Sequence, residues 1–155
     1  FPEDLEGKKI AVIGGGAVGL DVVEFFAARK ADISIVEMMD QIGRDLDPVT
    51  KNDMKCQMKT HGVHQLTQTA LLEVKEHSFL VKGSDGSYEL PFDYGFVCLG
   101  MRAKGQLYPQ LLDAFADDDV EILNIGDSQR ARRIIDGTME GRNILNHLTQ
   151  RGYLD

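Results

Sequence analysis

The sequence has no tryptophan, only two cysteines and four prolines, and no run of basic residues. Each scarcity excludes something. Cys56 and Cys98 stand alone and far apart, which fits neither a disulfide framework nor the ligand spacing of a zinc or iron–sulfur centre. Both are expected as small buried apolar residues, and no metal site is expected. Lys plus Arg total 17 against 25 Asp plus Glu, a formal charge of −8, which argues against nucleic acid and anionic membrane surfaces as partners. No apolar stretch approaches the roughly 20 residues that cross a bilayer, and no basic-then-apolar leader opens the chain. A soluble, cytoplasmic location is expected. The chain starts Phe1-Pro2-Glu3 rather than with Met and runs almost at once into a strand signal, as expected of a piece of a longer polypeptide.

What is present is enough for one domain with a real core: 155 residues, 43% of them apolar. Ile10-Ala11-Val12-Ile13 is a short apolar run that stops at three glycines and reads as a buried strand. From Ala17 the period changes: Val18, Val22, Phe25, Phe26 and Arg29 fall on helical spacing, which predicts a helix to about Lys30. Ile33-Ser34-Ile35-Val36 follows as a second strand ending at Glu37, so the opening is a βαβ unit. Asp47-Pro48 is a helix cap with Pro at the first position, and the helix should end near His61. Val63 to Leu66 is a third strand candidate. Residues 71–74, 78–81 and 88–90, with Gly83-Ser84-Asp85-Gly86 as a turn, read as a small antiparallel β-meander.

Further along, Phe92 to Leu99 predicts a buried strand and Gly105 to Phe115 a short helix. Asp117 to Asp119 is a polar turn, Val120 to Ile125 a strand closing on Gly126-Asp127, and Arg130 to Gln150 a helix interrupted by Gly137 and Gly141. This alternation predicts an α/β fold with a mainly parallel sheet.

The sharpest chemical signal is Gly14-Gly15-Gly16-Ala17-Val18-Gly19, a G-x-G-x-x-G between a strand and a helix. Gly14 permits the tight turn, Gly16 lets the backbone approach a pyrophosphate, and Gly19 lets helix and strand pack closely. Phosphates would meet free N–H groups at the positive end of the helix dipole. Glu37 stands about 20 residues on, where a carboxylate can accept hydrogen bonds from ribose hydroxyls. It would repel the 2′-phosphate of NADP, and Met38-Met39-Asp40 bring no cation, so NAD(H) is preferred over NADP(H). Arg44 is the nearest positive residue that a loop could bring to the adenosine end, or else it is simply solvated. FAD fits such a turn too, and the fingerprint does not separate the two dinucleotides.

Taken together, Gly7 to Gly19, Glu37 with Met38, Ile42-Gly43-Arg44-Asp45-Leu46-Asp47-Pro48, Val97 to Arg102, Asn124-Ile125-Gly126-Asp127, Arg133 to Asp136 and Glu140-Gly141 resemble the C-terminal half of the NADH:flavin oxidoreductases related to 2-enoate reductase and 2,4-dienoyl-CoA reductase. The resemblance covers nearly the whole chain and reaches into the wider pyridine nucleotide-disulfide oxidoreductase superfamily. It implies a three-layer Rossmann-like FAD/NAD(P)-binding fold. In that family an N-terminal barrel carries FMN, an iron–sulfur cluster and the substrate site, and a pyridine-nucleotide domain is inserted within an FAD domain. By resemblance, 1–102 is the NAD(H)-binding domain and 103–155 the returning segment of the FAD-binding domain. Gly14, Gly16, Ala17, Val18 and Gly19 would then hold the pyrophosphate of NADH, Glu37 with Met38 the adenosine ribose side, and Gly100 would pass near the cofactor. Gly126 and Asp127 would face the FAD, Asp127 at its ribityl or pyrophosphate region.

The departures from the family are large. There is no second G-x-G-x-x-G, no cysteine set for a cluster and no barrel. The isolated chain is therefore expected to bind NADH without turnover and to carry no catalytic residue, its partner being the FAD half-domain of a parent chain. Rival readings are the NAD(P)H-binding part of a disulfide reductase or NADH oxidase, a non-catalytic NAD-sensing module, and a methyltransferase, whose chemistry has no need of this glycine spacing.

The remaining residues have plainer readings. His61, His64, His77 and His147 are read as solvated or capping, and Met54 and Met58 as core filler. Arg130, Arg132 and Arg133 either face a flavin phosphate or form a solvated helix face, and Asp127 without the family would be only a helix cap. An orphaned strand and helix would leave apolar surface open, so weak self-association or domain swapping is expected.

Overall fold

Short apolar strands organise the first hundred residues, as seen in a computed structural model that describes residues 1 and 4–154. Two compact units are present, 1–100 and 101–155. In the first, β1 (Lys9–Ile13), β2 (Asp32–Val36), β3 (His64–Leu66) and β7 (Tyr94–Val97) form a four-stranded sheet in the order β3-β2-β1-β7. All three pairings are parallel. Between β3 and β7 the chain makes an antiparallel meander of β4 (Ala70–Val74), β5 (Ser78–Gly83) and β6 (Gly86–Pro91).

Strand periodicity builds a three-layer sandwich from this. Ile10 and Val12 of β1 and Ile33 and Ile35 of β2 point to one face, where they pack with α1 (Ala17–Ala27) and α2 (Pro48–Thr60). Ala11, Ile13 and Val36 point to the other and meet Phe79 and Val81 of the meander. A parallel sheet covered on both faces explains why β1 reads as a continuous apolar run. The meander turns at Ser84-Asp85, with Gly83 paired to Gly86, and Gly86 at φ +118 supplies the backbone that a side chain resists. Met54 and Met58 fill the core beneath α2, and Asp47 caps that helix by accepting from the Val49 and Thr50 N–H groups, each at 3.1 Å.

Several expectations need correction. Helix α1 stops at Ala27 rather than near Lys30, because Lys30 takes a left-handed conformation (φ 58) and Ala31 turns inward just before β2. Its buried face is Gly19, Leu20, Val23, Phe26 and Ala27, and Val18 is 62% exposed. The last strand of the sheet is confined to Tyr94–Val97, since Phe92 is drawn to the meander, its N–H donating to His77 O and its ring packing on Phe79. Cys56 is exposed and Cys98 half-buried, because Cys56 falls on the outer side of α2.

The second unit holds α3 (Leu107–Ala114), a single 3-10 turn at Gly126–Ser128 and α4 (Ile134–Gln150). Val120 to Ile125 is not a strand, since no neighbouring strand among the described residues of its own unit completes its hydrogen bonds. Helix α4 starts at Ile134 rather than Arg130, because Arg133 is extended and its N–H donates to Asp136 Oδ2 at 3.1 Å. It continues unbroken through Gly137 and Gly141. Among the described residues, no helix is long and apolar enough to cross a membrane, and no group of His, Cys, Asp and Glu is arranged to hold a metal ion.

Candidate functional site

Where β1 ends, the chain must leave a parallel sheet and enter α1 within three residues, and each glycine there answers a different constraint. Gly14 has φ +106, and a Cβ on it would stand 2.3 Å from the Cys98 carbonyl oxygen. A Cβ on Gly19 would stand 1.9 Å from the Gly14 carbonyl oxygen. Both glycines are demanded by the fold. Gly16 is different: its backbone is ordinary (φ −78, ψ −175), and a Cβ would meet nothing within 4 Å. Neither packing nor conformation requires glycine at that position.

Gly16 is the N-cap of α1 and no side chain caps it, so the first-turn N–H groups, including those of Ala17 and Val18, carry the positive end of the helix without an intramolecular acceptor. This is the local arrangement that receives an anion.

Glu37 closes the site from the side. Its Oε2 accepts from the Gly15 N–H at 2.7 Å and its Oε1 from the Met39 N–H at 2.8 Å. The carboxylate just after β2 therefore grips the turn just after β1, and each oxygen keeps a lone pair for a further donor. Gly15, which the motif treats as variable, is held between neighbours: a Cβ there would lie 3.1 Å from both Glu37 Oε2 and Ile42 Cγ1. The only sequence sign of this was the run of three glycines. The following loop is tied in by the Gly43 N–H to Gly15 O at 2.7 Å and the Gln68 N–H to Met39 O at 2.9 Å.

Beside Glu37 an open groove of about 610 Å³ is lined by Met38, Met39, Asp40, Gln41, Arg44 and Gln68. Met38 is exposed there, and Arg44 is the cation among these lining residues. Gln41 and Gln68 were not singled out by spacing, because they reach the groove through loop closure. Gly100 follows β7 with φ +77 and open space in its Cβ direction. Gly14, Gly16, Ala17, Val18, Gly19, Glu37, Met38 and Gly100 thus all belong to the first unit, and the first seven gather at the carboxyl ends of β1 and β2, where open α/β sheets bind ligands.

Gly126 and Asp127 belong to the second unit. Gly126 has φ +64 and donates its N–H to Glu140 Oε2 at 2.6 Å. Asp127 Oδ1 accepts from the Arg132 N–H at 3.2 Å, so the cap expected of it is made to the loop before α4 and not to the helix. Arg132 pairs with Glu140 and Arg133 with Asp136, and Arg130, Arg132 and Arg133 are all exposed residues. A cleft of about 360 Å³ in this unit is lined by Tyr108, Asn124, Gln129, Glu140, Asn143 and His147, among others. His147 and His64 have carboxylate partners that the sequence did not signal: His147 Nε2 lies 2.9 Å from Glu121 and His64 Nε2 lies 3.4 Å from Asp32.

Comparison with known proteins shows the family and the fold. The sequence profile of the family described as pyridine nucleotide-disulphide oxidoreductase matches residues 1–126. The chain is 28% identical to the metal reductase of Desulforamulus reducens, over 88% of this chain and 24% of that protein. It is 30% identical to the bilirubin reductase of Mediterraneibacter gnavus, over 90% of this chain and 21% of that protein. Among solved structures, histamine dehydrogenase from Rhizobium sp. 4-9 matches 93% of this chain and 24% of its own with a TM-score of 0.68 at 16% identity. 2-Naphthoyl-CoA reductase matches 88% of this chain and 20% of its own, with a TM-score of 0.65 at 20% identity. These structural likenesses show the fold. The chain spans about a fifth to a quarter of the length of the curated relatives that it matches.

Proposed function

The chain belongs to the pyridine nucleotide-disulphide oxidoreductase family, and we propose that it is the NADH-binding module of a multidomain flavin oxidoreductase of the enoate reductase kind. In this reading 1–102 binds NADH and 103–155 is the returning segment of the parent's FAD-binding domain. The observation that carries it is Gly16, a glycine at an uncapped helix N-terminus that the protein's own packing and backbone do not require. A pyrophosphate that must approach the main chain does require it.

The residues fit the cofactor. Gly16, Ala17 and Val18 offer N–H donors to the pyrophosphate, and Gly14 and Gly19 hold the turn that aims them. Glu37, already oriented by Gly15 and Met39, accepts the ribose hydroxyls and opposes a 2′-phosphate through like charge. The groove beside it, lined by Met38, Met39 and Gln68, takes the adenosine. When bound, NADH supplies a hydride, which the parent's FAD accepts. FMN, an iron–sulfur cluster and the organic substrate would belong to parts of the parent outside this chain, which by itself binds cofactor without turnover. An NADH oxidase from Thermoanaerobacter brockii, 27% identical over 86% of this chain, favours the neighbouring reading of an NADH oxidase module, in which the same residues do the same work. The non-catalytic sensing module has no such support.

Fluorescence titration with NADH and NADPH in parallel, on the wild-type chain and Glu37→Ala, tests the proposal. The expected result is saturable NADH binding that outcompetes NADPH, with the gap narrowed on the order of tenfold in the variant. Binding of neither nucleotide would overturn the assignment.

A further inference from the structure

The second unit contains a closed set of contacts around the turn at Gly126. The chain arrives extended at Ile125, reverses at Gly126 with φ +64, and makes one 3-10 turn through Asp127 and Ser128. Glu140 reaches that reversal from α4, two turns into the helix. Its Oε2 accepts the Gly126 N–H at 2.6 Å, and its Oε1 accepts the Arg132 guanidinium. Arg132 in turn donates its own N–H to Asp127 Oδ1 at 3.2 Å, and its Nε donates to Arg130 O at 3.3 Å. The path therefore closes: Gly126 to Glu140, Glu140 to Arg132, Arg132 to Asp127. Gly137 stands one turn before Glu140, and a Cβ there would lie 3.5 Å from Gly126 Cα, so the turn sits directly on α4.

We propose that Glu140 is a positioning residue: with Arg132 it sets the Gly126-Asp127 turn and so fixes where the Asp127 carboxylate stands. This rests, for its functional meaning, on the reading of 103–155 as the flavin-side segment. Geometry makes the assignment. Gly126 donates to Glu140 and to no other acceptor among the described residues, and the Glu140 and Arg132 side chains are both only 27% exposed. A carboxylate held by a backbone N–H and a guanidinium together orients more firmly than one held by a single donor. The Gly126 N–H, followed by Arg132, also holds the Glu140 carboxyl below the usual carboxylate range, which keeps the fastening ionised into the acid range.

The test is proton–nitrogen NMR on the intact labelled chain, comparing wild type with Glu140→Gln, Glu140→Ala and Arg132→Met. In the wild type the Gly126 amide should exchange slowly and its shift should follow one titration step below the usual glutamate range. Glu140→Gln, which keeps shape and an acceptor oxygen, should abolish that step. Glu140→Ala should speed exchange at Gly126 at least about tenfold, and Arg132→Met should raise the midpoint, with the amides of β1 and of Leu148 unchanged in all three. An unaltered titration at Gly126 in Glu140→Gln overturns the proposal, even if Glu140→Ala fails to fold. FAD is then added as the second arm. If it shifts the Asp127 and Ser128 amides in the wild type and does so about tenfold more weakly in Glu140→Ala, both the positioning role and the flavin reading are supported. If it leaves them unmoved while the Gly126 profile is as expected, 103–155 does not take up flavin without the parent's other half-domain and the fastening stands.

Discussion

Glu37 Oε2 accepts the Gly15 N–H at 2.7 Å, so the residue that follows β2 determines the shape of the turn that follows β1. A carboxylate expected to serve the ligand thus serves the protein first. Glu37→Ala should lower the unfolding free energy by about 1–3 kcal/mol, the cost of leaving a half-buried N–H without its charged acceptor. Urea titration in the absence of nucleotide measures this, and no change would mean that the turn holds itself.

The glycines should separate fold from function. Gly14→Ala and Gly19→Ala each place a methyl against backbone oxygen, at 2.3 and 1.9 Å, and should destabilise by about 1–3 kcal/mol or more. Gly16→Ala should lower the unfolding free energy by no more than about 1 kcal/mol while weakening NADH binding on the order of tenfold. Paired denaturation and binding curves decide the matter; an unstable Gly16→Ala would make that glycine structural.

The layer under the meander should respond as a coupled unit. Phe79 is 1% exposed, and Phe79→Ala should cost about 3–5 kcal/mol. Gly95→Ala places a methyl 2.7 Å from Phe92 Cζ and 2.8 Å from Phe79 Cζ, and should be less damaging on a Phe79→Leu background than alone. Additive effects in a double-mutant cycle would contradict that contact.

Acid should loosen α2 through its cap. Thr50, by its hydroxyl and its N–H, and the Val49 N–H hold the Asp47 carboxyl below its ordinary value of 3.8. A depressed native value means that the stabilisation is complete above that ordinary value and is lost as pH falls through the native one. Asp47→Asn, which still caps but does not titrate, should therefore lose less stability than wild type between about pH 6 and pH 3. Thermal melts followed by circular dichroism at the two pH values give the comparison.

The chain should self-associate weakly. Ile134 is 91% exposed and Leu145 65% exposed, and no residue of α4 is buried, an apolar surface of the kind that associates. Sedimentation across micromolar concentrations should show a rising mean mass, reduced in Leu145→Lys; a single monomeric species throughout would refute it.

Much of this was legible because it is local. The change from alternating to helical spacing at Ala17, the Asp47-Pro48 cap and the Ser84-Asp85 turn are each determined by residues a few positions apart, and each element formed there. Val18 shows the limit: helical spacing placed it with the apolar face, yet the face that packs on β1 and β2 begins at Gly19 and Leu20, leaving Val18 in solvent. Periodicity gives an angle between side chains, and the neighbouring layer chooses which angle points inward.

Long-range hydrogen bonds account for the rest. Val120 to Ile125 has a strand's composition, but a strand exists only when another supplies its partners, and the described residues of its unit contain none. The G-x-G-x-x-G and the acid after β2 were properties of the chain by itself, as were the order of elements and the α/β class. That Gly15 is gripped by Glu37, that Gly16 alone in its turn stands free of the protein's own needs, and that Glu140 reaches back to Gly126 were decided only when folding set residues 14 to 22 positions apart within hydrogen-bond reach.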